Sequence, residues 1–134
     1  MKSLNTFCKE LEADIIKAYE ESPTLEESEK LAAKFLAAQM QLTDALRTAD
    51  LDARMRKAGL KALKAGVYTE ACTGVEKKPT ENALAAIVDS SATVLAAQEG
   101  LDISEVDRDV LNNYFTIFRE AHIYFRGISK GRFD

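Results

Sequence analysis

The chain has 134 residues and a net charge of −4, with 46% apolar and 30% charged residues. This length suits a single domain over residues 1–134, with a core that needs neither disulfides nor metal ions. The acidic balance excludes a uniformly basic nucleic-acid-binding protein. Tryptophan is absent and aromatic residues are few, whereas Ala, Leu, Lys and Glu are abundant, so the composition favours helices.

The two cysteines, Cys8 and Cys72, are distant in the chain and belong to no CxxC or Cys/His cluster. This pattern predicts a reducing setting and no zinc site. No phosphate-binding glycine motif occurs, so no cofactor is expected. The first residues lack the apolar segment of a secretion signal, and no run of about 18 apolar residues exists. We therefore expect a cytoplasmic protein without a membrane-spanning helix.

The first predicted helix runs from Ser3 or Thr6 to Glu21. Its apolar residues recur every three or four positions and form one helical face: Leu4, Phe7, Leu11, Ile15 and Ala18. Ser22 precedes Pro23, and a residue before proline disfavours the helical conformation, so the helix ends there.

The longest predicted element is a helix from Thr24 to Ala65, far longer than the usual ~11–12 residues. Thr24 with Glu27 is a capping-box pattern, and Gly66 follows the other end. The apolar residues recur with a period near 3.5, typical of a helix packed on another helix. They are Leu31, Phe35, Ala38, Leu42, Ala45 and Ala49, with a second line at Leu36, Met40 and Leu46. Further along the helix, Leu51, Met55, Ala58 and Ala62 continue one stripe.

The charge of this long helix changes sign along its length. Residues 1–46 hold five Lys/Arg and nine Asp/Glu, whereas residues 47–64 hold six and two. The second half is therefore a local positive segment in an acidic chain. A long helix with this asymmetry is suited to assembly, and its basic end is suited to holding a polyanion.

After the long helix we predict an irregular connection over residues 66–79, followed by a helix from Glu81 to Gln98. Thr80 is the expected N-cap of this helix. Gly100 is the residue expected to stop it, because glycine is common just past helix ends.

The last predicted helix begins after Asp102 or Ser104 and ends at Arg126, and a short basic tail occupies residues 128–134. One side of it carries Val106, Val110, Ile117, Ala121 and Tyr124, and another carries Leu111, Phe115, Phe118, His122 and Phe125. A helix apolar on two sides is central in the fold or forms an oligomer contact. The elements together predict an all-α protein of about four helices that self-associates through its second and fourth helices.

Residues suited to catalysis or metal binding are sparse. The single histidine, His122, lies in an aromatic-rich helix and fits a packed or interface residue better than a general base. The carboxylates near the start of the last helix match no EF-hand spacing and instead suit the positive end of a helix: Asp102, Glu105, Asp107 and Asp109. We therefore expect a protein that is not an enzyme and has no metal site.

The strongest candidate site is the set of cations in the second half of the long helix: Arg54, Arg56, Lys57, Lys61 and Lys64. Residues 54, 57, 61 and 64 are three and four apart, so they share one face and can contact several phosphates. Tyr68 lies just beyond and can stack on a base or be buried. A second, weaker candidate comprises Arg126, Lys130 and Arg132. The alternative role of the basic face is to pair with the acidic first half of a neighbouring subunit.

Four short segments carry a family resemblance. They are Glu10-Leu11 with Asp14-Ile15, Lys34-Phe35-Leu36, Leu60-Lys61-Ala62, and the stretch from Val110 through Tyr114-Phe115 to Arg126-Gly127. Each is similar to a segment of the UvsY-type recombination mediators of T-even bacteriophages. The third resembles the start of a Leu-Lys-Ala-Arg segment implicated in DNA binding, although Leu63 stands at the arginine position and Lys64 follows it.

The resemblance implies a small helical protein that forms ring-like homo-oligomers in the cytoplasm of a bacterial host cell. Such proteins bind single-stranded DNA and help load a RecA-like recombinase onto strands coated by single-strand-binding protein. The resemblance covers Lys61 itself and reaches Lys64 by proximity. The other cations are assigned to DNA binding on their charge alone. Two other functions fit the sequence: a phage-type structural or adaptor protein whose charges pair between subunits, and a small acidic inhibitor that mimics DNA toward a nucleic-acid enzyme.

Overall fold

The computed structural model describes residues 3–131, and every regular element within them is an α-helix. The four helices are α1 (Leu4–Glu21), α2 (Leu25–Cys72), α3 (Glu81–Ser90) and α4 (Ala92–Ser129). This confirms the all-α prediction and the presence of one very long helix. No helix in the described part of the chain combines the length and the apolarity needed to cross a membrane.

The predicted helix starts are confirmed at the first three helices, with Thr80 as the N-cap of α3. The Ser3 hydroxyl accepts a hydrogen bond from the Thr6 backbone N–H at 3.2 Å and caps α1. At α2 the Glu27 N–H donates to Thr24 Oγ1 at 3.1 Å, and the Thr24 N–H donates back to Glu27 Oε1 at 3.4 Å. This reciprocal pair is the capping box that the sequence predicts.

The predicted end of the long helix at Ala65 was wrong, because α2 continues through Gly66 to Cys72. Beyond that glycine, Val67 is half-buried and packs on the cluster around Leu60. This burial outweighs the ~1 kcal/mol that a helical glycine costs relative to alanine. Gly74, with φ +73°, follows the helix end and takes the left-handed conformation that suits glycine.

The predicted break between the third and fourth helices was also wrong in position. The chain leaves helical geometry at Ser91, with φ −60° and ψ 127°, and its carbonyl accepts the first hydrogen bond of α4 from the Leu95 N–H at 2.9 Å. Gly100, the expected stop, lies inside α4. A Cβ at Gly100 would lie 2.9 Å from Nη1 of Arg56, so this glycine makes room for an arginine side chain.

Two compact units make up the chain. The first holds the described residues up to Leu46 together with those from Val110 onward. Its core joins three helices through fully buried residues, among them Cys8 of α1, Phe35 of α2 and Phe118 of α4. The Phe35 ring stacks on Phe118 and on Phe125, with ring centroids 6.3 and 5.8 Å apart.

The second unit, Arg47–Asp109, contains the second half of α2, all of α3 and the first half of α4. Leu60 of α2 packs with Val94 and Leu101 of α4 in a small buried cluster. Helix α3 buries Leu84 and Val88. Between α2 and α4, Ser104 Oγ donates a hydrogen bond to Asp52 at 2.6 Å. The single domain expected over residues 1–134 stays a prediction.

The two apolar sides predicted for α4 both reach the core of the first unit. Phe118 of one side and Ala121 of the other are fully buried there. Val106 and Val110, on the same predicted side as Ala121, are exposed. The predicted end at Arg126 was wrong, because the helix continues to Ser129, the second residue of the predicted tail.

Candidate nucleic-acid interface

Four of the predicted cations form a basic stripe on the second half of α2, defined by Arg54, Lys57, Lys61 and Lys64. Their spacing of three and four residues in a continuous helix places them on one face. Arg54, Lys57 and Lys61 are exposed, whereas Lys64 is half-buried. The stripe extends from residue 54 to residue 64, or ~15 Å of helix.

The members of the basic stripe differ in how far they are neutralised. Arg54 forms an ion pair with Asp50 one turn earlier, with Nε 3.1 Å from Oδ2. Within residues 3–131, Lys57, Lys61 and Lys64 form no ion pair. These three lysines therefore carry most of the stripe's uncompensated charge.

The fifth predicted cation, Arg56, does not belong to the stripe. It lies two residues from Arg54, which at ~100° per residue places it on a different side of the helix. Its Nε is 3.0 Å from Oδ2 of Asp52, and its guanidinium lies against Gly100 of α4. The Ser104 hydroxyl and then the Arg56 guanidinium hold the pKa of Asp52 below its ordinary value. Arg56 thus takes part in the contact between α2 and α4.

Tyr68 continues the stripe by one further turn and is half-buried beside α3. Its hydroxyl donates a hydrogen bond to Glu81 Oε1 at 3.4 Å, near the upper limit for such a bond. Lys78 Nζ lies over the ring, 5.7 Å from its centroid, and 3.9 Å from Glu81 Oε1. Tyr68 therefore has both an acidic and a basic neighbour from the segment that precedes and begins α3.

A groove of about 490 Å³ lies between the end of α2 and α3 within the second unit. Its lining includes the half-buried Lys64 and Tyr68 on one wall. Glu81, Val88 and Asp89 belong to the opposite wall. The groove is thus mixed in charge, with basic and aromatic groups from α2 and acidic groups from α3.

Lys78 is the cation near the site that sequence reasoning did not include. It belongs to the Lys77-Lys78 pair before Pro79, and this doublet is a signal that could have identified it. The Tyr68 hydroxyl raises the pKa of Lys78, and Glu81 adds to the effect. The pairing depends on how the connection folds back on α2, which residue spacing does not give.

The second predicted cluster is only partly within the described residues. Arg126 is exposed in the last turn of α4, where a positive charge is favourable. Lys130 follows in an exposed turn, and Arg132 lies outside the described residues. Arg126 and Lys130 belong to the first unit, whereas the basic stripe belongs to the second.

His122 and the cysteines occupy packed positions. His122 Nδ1 is 2.8 Å from the Ala32 carbonyl oxygen; because a carbonyl can only accept, the Nδ1–H group donates this hydrogen bond. The contact joins α4 to α2 in the first unit. Cys8 is buried, and its burial raises the pKa of the thiol. Cys8 and Cys72 are both free thiols.

Acidic clusters in the described range do not approach metal-site geometry. Within residues 3–131, no group of three or more His, Cys, Asp or Glu side chains could hold a metal ion. Around the start of the predicted fourth helix, Arg108 instead pairs with Asp109 at 3.1 Å and with Glu105 at 3.7 Å.

Comparisons of the chain with protein-family models, with curated proteins and with solved structures found no match.

Proposed function

We propose that this protein is a recombination mediator that binds single-stranded DNA and helps a RecA-like recombinase replace single-strand-binding protein on it. The observation that carries the proposal is the basic stripe on α2, in which Lys57, Lys61 and Lys64 share one face without ion pairs among the described residues. The mechanism involves no chemical step, so the protein acts as a binding protein and not as an enzyme. Its proposed setting is the cytoplasm of a bacterial host cell.

Binding would begin with the phosphates. Each lysine that neutralises a phosphate releases counterions, which gives affinity that depends on salt and not on base sequence. Arg54 would join by exchanging Asp50 for a phosphate, because an exposed ion pair contributes only ~0–1 kcal/mol. Arg56 has no phosphate-contacting role in this proposal, since it pairs with Asp52 beside Gly100.

Tyr68 would contribute by stacking on a base. Stacking on an aromatic side chain stabilises a bound base by ~1–3 kcal/mol. The 3.4 Å hydrogen bond from Tyr68 to Glu81 is long, so its loss would cost little. Lys78, above the ring, would then lie close to the strand that Tyr68 receives.

The stripe alone is a modest binding site, and self-association would strengthen it. Several copies in a ring-like homo-oligomer would bind one strand together, with an overall affinity far above that of one copy. Exposed apolar residues on α2 and α4, such as Met55 and Val106, are the surfaces proposed for these contacts. Arg126, Lys130 and Arg132 are proposed as secondary strand contacts.

One rival function is supported by a specific observation. A phage-type structural or adaptor protein would also expose apolar residues along α2, and would use the cations only to pair with neighbouring subunits. It requires no DNA affinity at any salt concentration. DNA binding at low salt separates this function from the mediator.

A paired-lysine variant tests the proposed site. The change Lys61→Ala with Lys64→Ala removes two phosphate contacts, so affinity for a fluorescent single-stranded oligonucleotide should fall. The slope of log affinity against log salt should decrease by about 1.4, at ~0.7 per phosphate on a single strand. Fluorescence anisotropy over a series of salt concentrations measures both quantities.

The matched control is Lys17→Ala with Lys30→Ala, which removes the same charge from exposed lysines of the first unit. Its salt slope should equal that of the natural chain. If the two variants lose the same slope, net charge and not the basic stripe governs binding, and the proposed site is wrong.

A further inference from the structure

A carboxylate lies among the aromatic and basic groups just beyond the basic stripe. Glu81 Oε1 accepts a hydrogen bond from the Tyr68 hydroxyl at 3.4 Å and lies 3.9 Å from Lys78 Nζ. Lys78 Nζ is in turn 5.7 Å from the centroid of the Tyr68 ring. All three residues belong to the second unit. One anionic group is thus held between a hydroxyl group and an ammonium group.

The groups around this carboxylate are those that bind the phosphates of a nucleic acid. Lysine ammonium groups and tyrosine hydroxyls both donate hydrogen bonds to phosphate oxygens, and such contacts position a strand without reading its bases. Tyr68 follows Lys64 by four residues in the same helix, so a strand along the basic stripe would reach Tyr68 next. In the unbound chain, Glu81 therefore occupies a place suited to a phosphate.

We infer that Lys78 and the Tyr68 hydroxyl form a phosphate site, and that Glu81 occupies this site until a bound strand displaces its carboxylate. The phosphate site rests on the proposed function, because its phosphate is part of the single strand held by the basic stripe. Lys78 is then a strand contact from outside α2. Glu81 is a competitor of the strand, and it weakens DNA binding.

The contacts of Glu81 are weak enough for a strand to replace them. The side chains of Lys78 and Glu81 are 60% and 78% exposed, and an exposed ion pair contributes little to stability. The hydrogen bond from Tyr68 is longer than a usual O–H···O bond. Competition of this strength should lower the affinity for a strand by about two- to fivefold and should not abolish binding.

The position of Glu81 also has a purely structural explanation. Glu81 is the first residue of α3, where a negative charge is favourable, and Thr80 caps this helix. Aspartate would serve that role as well as glutamate does. Its side chain is one methylene shorter, however, and would not reach both Tyr68 and Lys78. The change Glu81→Asp therefore separates the two roles.

Fluorescence anisotropy with a single-stranded oligonucleotide at low salt tests the displacement in the full chain. Glu81→Gln and Glu81→Asp should each bind the oligonucleotide about two- to fivefold more tightly than the natural chain. The first variant removes the negative charge, whereas the second keeps the net charge and withdraws the carboxylate. Circular dichroism checks that each variant is as helical as the natural chain. A folded Glu81→Asp chain with unchanged affinity would overturn the assignment.

Glu70→Gln is the matched control, because it removes the same charge from an exposed residue of α2. Glu70 is two residues from Tyr68 and so lies about 200° around the helix axis. Its affinity for the oligonucleotide should stay close to that of the natural chain. If Glu70→Gln tightens binding as much as Glu81→Gln does, net charge explains both results and the phosphate site is wrong.

A double-mutant cycle tests the role of Lys78. Lys78→Ala should weaken binding of the oligonucleotide. In this background Glu81→Gln should tighten binding less than in the natural chain, because the vacated site has lost its ammonium group. Equal gains in the two backgrounds would exclude Lys78 from the site and would overturn the assignment.

The pattern of binding separates a failure of the phosphate site from a failure of the proposed function. If neither the natural chain nor any variant binds the oligonucleotide at low salt, the proposed function fails and the phosphate site fails with it. If the natural chain binds and both Glu81 variants bind equally well, only the phosphate site fails, and the basic stripe keeps its proposed role.

Discussion

Asp52 is the residue where α2 and α4 meet through polar contacts in the second unit. Its Oδ2 accepts hydrogen bonds from Ser104 Oγ at 2.6 Å and from Arg56 Nε at 3.0 Å. Arg56 in turn lies against Gly100, which has no side chain to obstruct it. Sequence spacing predicts the face on which each residue lies, but not this chain of contacts. From the sequence, Arg56 was therefore predicted to bind DNA, and Gly100 was predicted to end a helix.

The pH dependence of stability should reveal the contribution of Asp52. Its pKa is lower in the folded chain than in the unfolded chain, first because of Ser104 and then because of Arg56. The resulting stabilisation is fully present above the unfolded pKa of about 3.9 and is lost as pH falls through the folded pKa. Asp52→Asn should therefore be less stable than the natural chain near pH 7, and the difference should shrink near pH 2.5.

Urea unfolding at both pH values measures this effect. Asp14→Asn is a suitable comparison, because Asp14 pairs with Lys34 at 2.8 Å in the first unit. The contrary outcome is that Asp52→Asn lowers the free energy of unfolding by the same amount at both pH values. That result would show that the charge of the Asp52 carboxylate is not what stabilises the fold.

The close approach of Arg56 to Gly100 predicts coupling between these positions. Alanine in a helix interior is ~1 kcal/mol more favourable than glycine. In the natural chain, Gly100→Ala should give only part of this stabilisation. The new Cβ would lie 2.9 Å from Nη1 of Arg56 and would displace the guanidinium. In an Arg56→Ala background the full ~1 kcal/mol should appear.

A double-mutant cycle by urea unfolding measures the coupling. The expected result is a larger gain from Gly100→Ala when Arg56 has been removed. Equal gains in the two backgrounds would mean that Arg56 does not occupy the space beside Gly100 in solution.

At the scale of helices, local signals predicted starts better than ends. Thr24 and Glu27 cap α2 as their spacing predicts, because a capping box involves only residues within one turn. Helix ends predicted at a glycine were wrong where a residue beyond the glycine is at least half-buried and the helix continues. Gly66 lies inside α2 because Val67, beyond it, packs on another helix, and that contact is not local in sequence.

Removing the cap of α2 should have a measurable cost. Thr24→Ala leaves the Glu27 N–H without its side-chain acceptor, so the free energy of unfolding should fall by ~1 kcal/mol. Thr48→Ala, at an exposed position inside the same helix, should not lower it. Urea unfolding of the two variants gives the comparison, and equal stability of both would argue against the capping box.

At the scale of the whole molecule, the sequence predicted an all-α fold with one long helix, and it predicted that four cations share a face. It did not predict which apolar line of α2 is buried. Phe35 and Leu42 lie in the core, whereas Leu36 and Met40 are exposed. Both lines have helical spacing, so only the packing of the other helices distinguishes them. Likewise, the contact of Tyr68 with Glu81 depends on where α3 lies.

The chain has an overall charge of −4, so any DNA binding must come from a local cluster of cations and not from the net charge. An acidic chain repels nucleic acid except where cations are concentrated, so binding would have to arise at a local site such as the basic stripe. Raising the salt concentration should weaken it strongly, because each phosphate contact on a single strand contributes ~0.7 to the slope.

The most direct test of the central claim is a titration of the natural chain with a fluorescent single-stranded oligonucleotide at low and at moderate salt. We expect binding at low salt that weakens steeply as salt increases, with little dependence on base sequence. No binding at low salt would contradict the assignment of the basic stripe as a single-stranded DNA site.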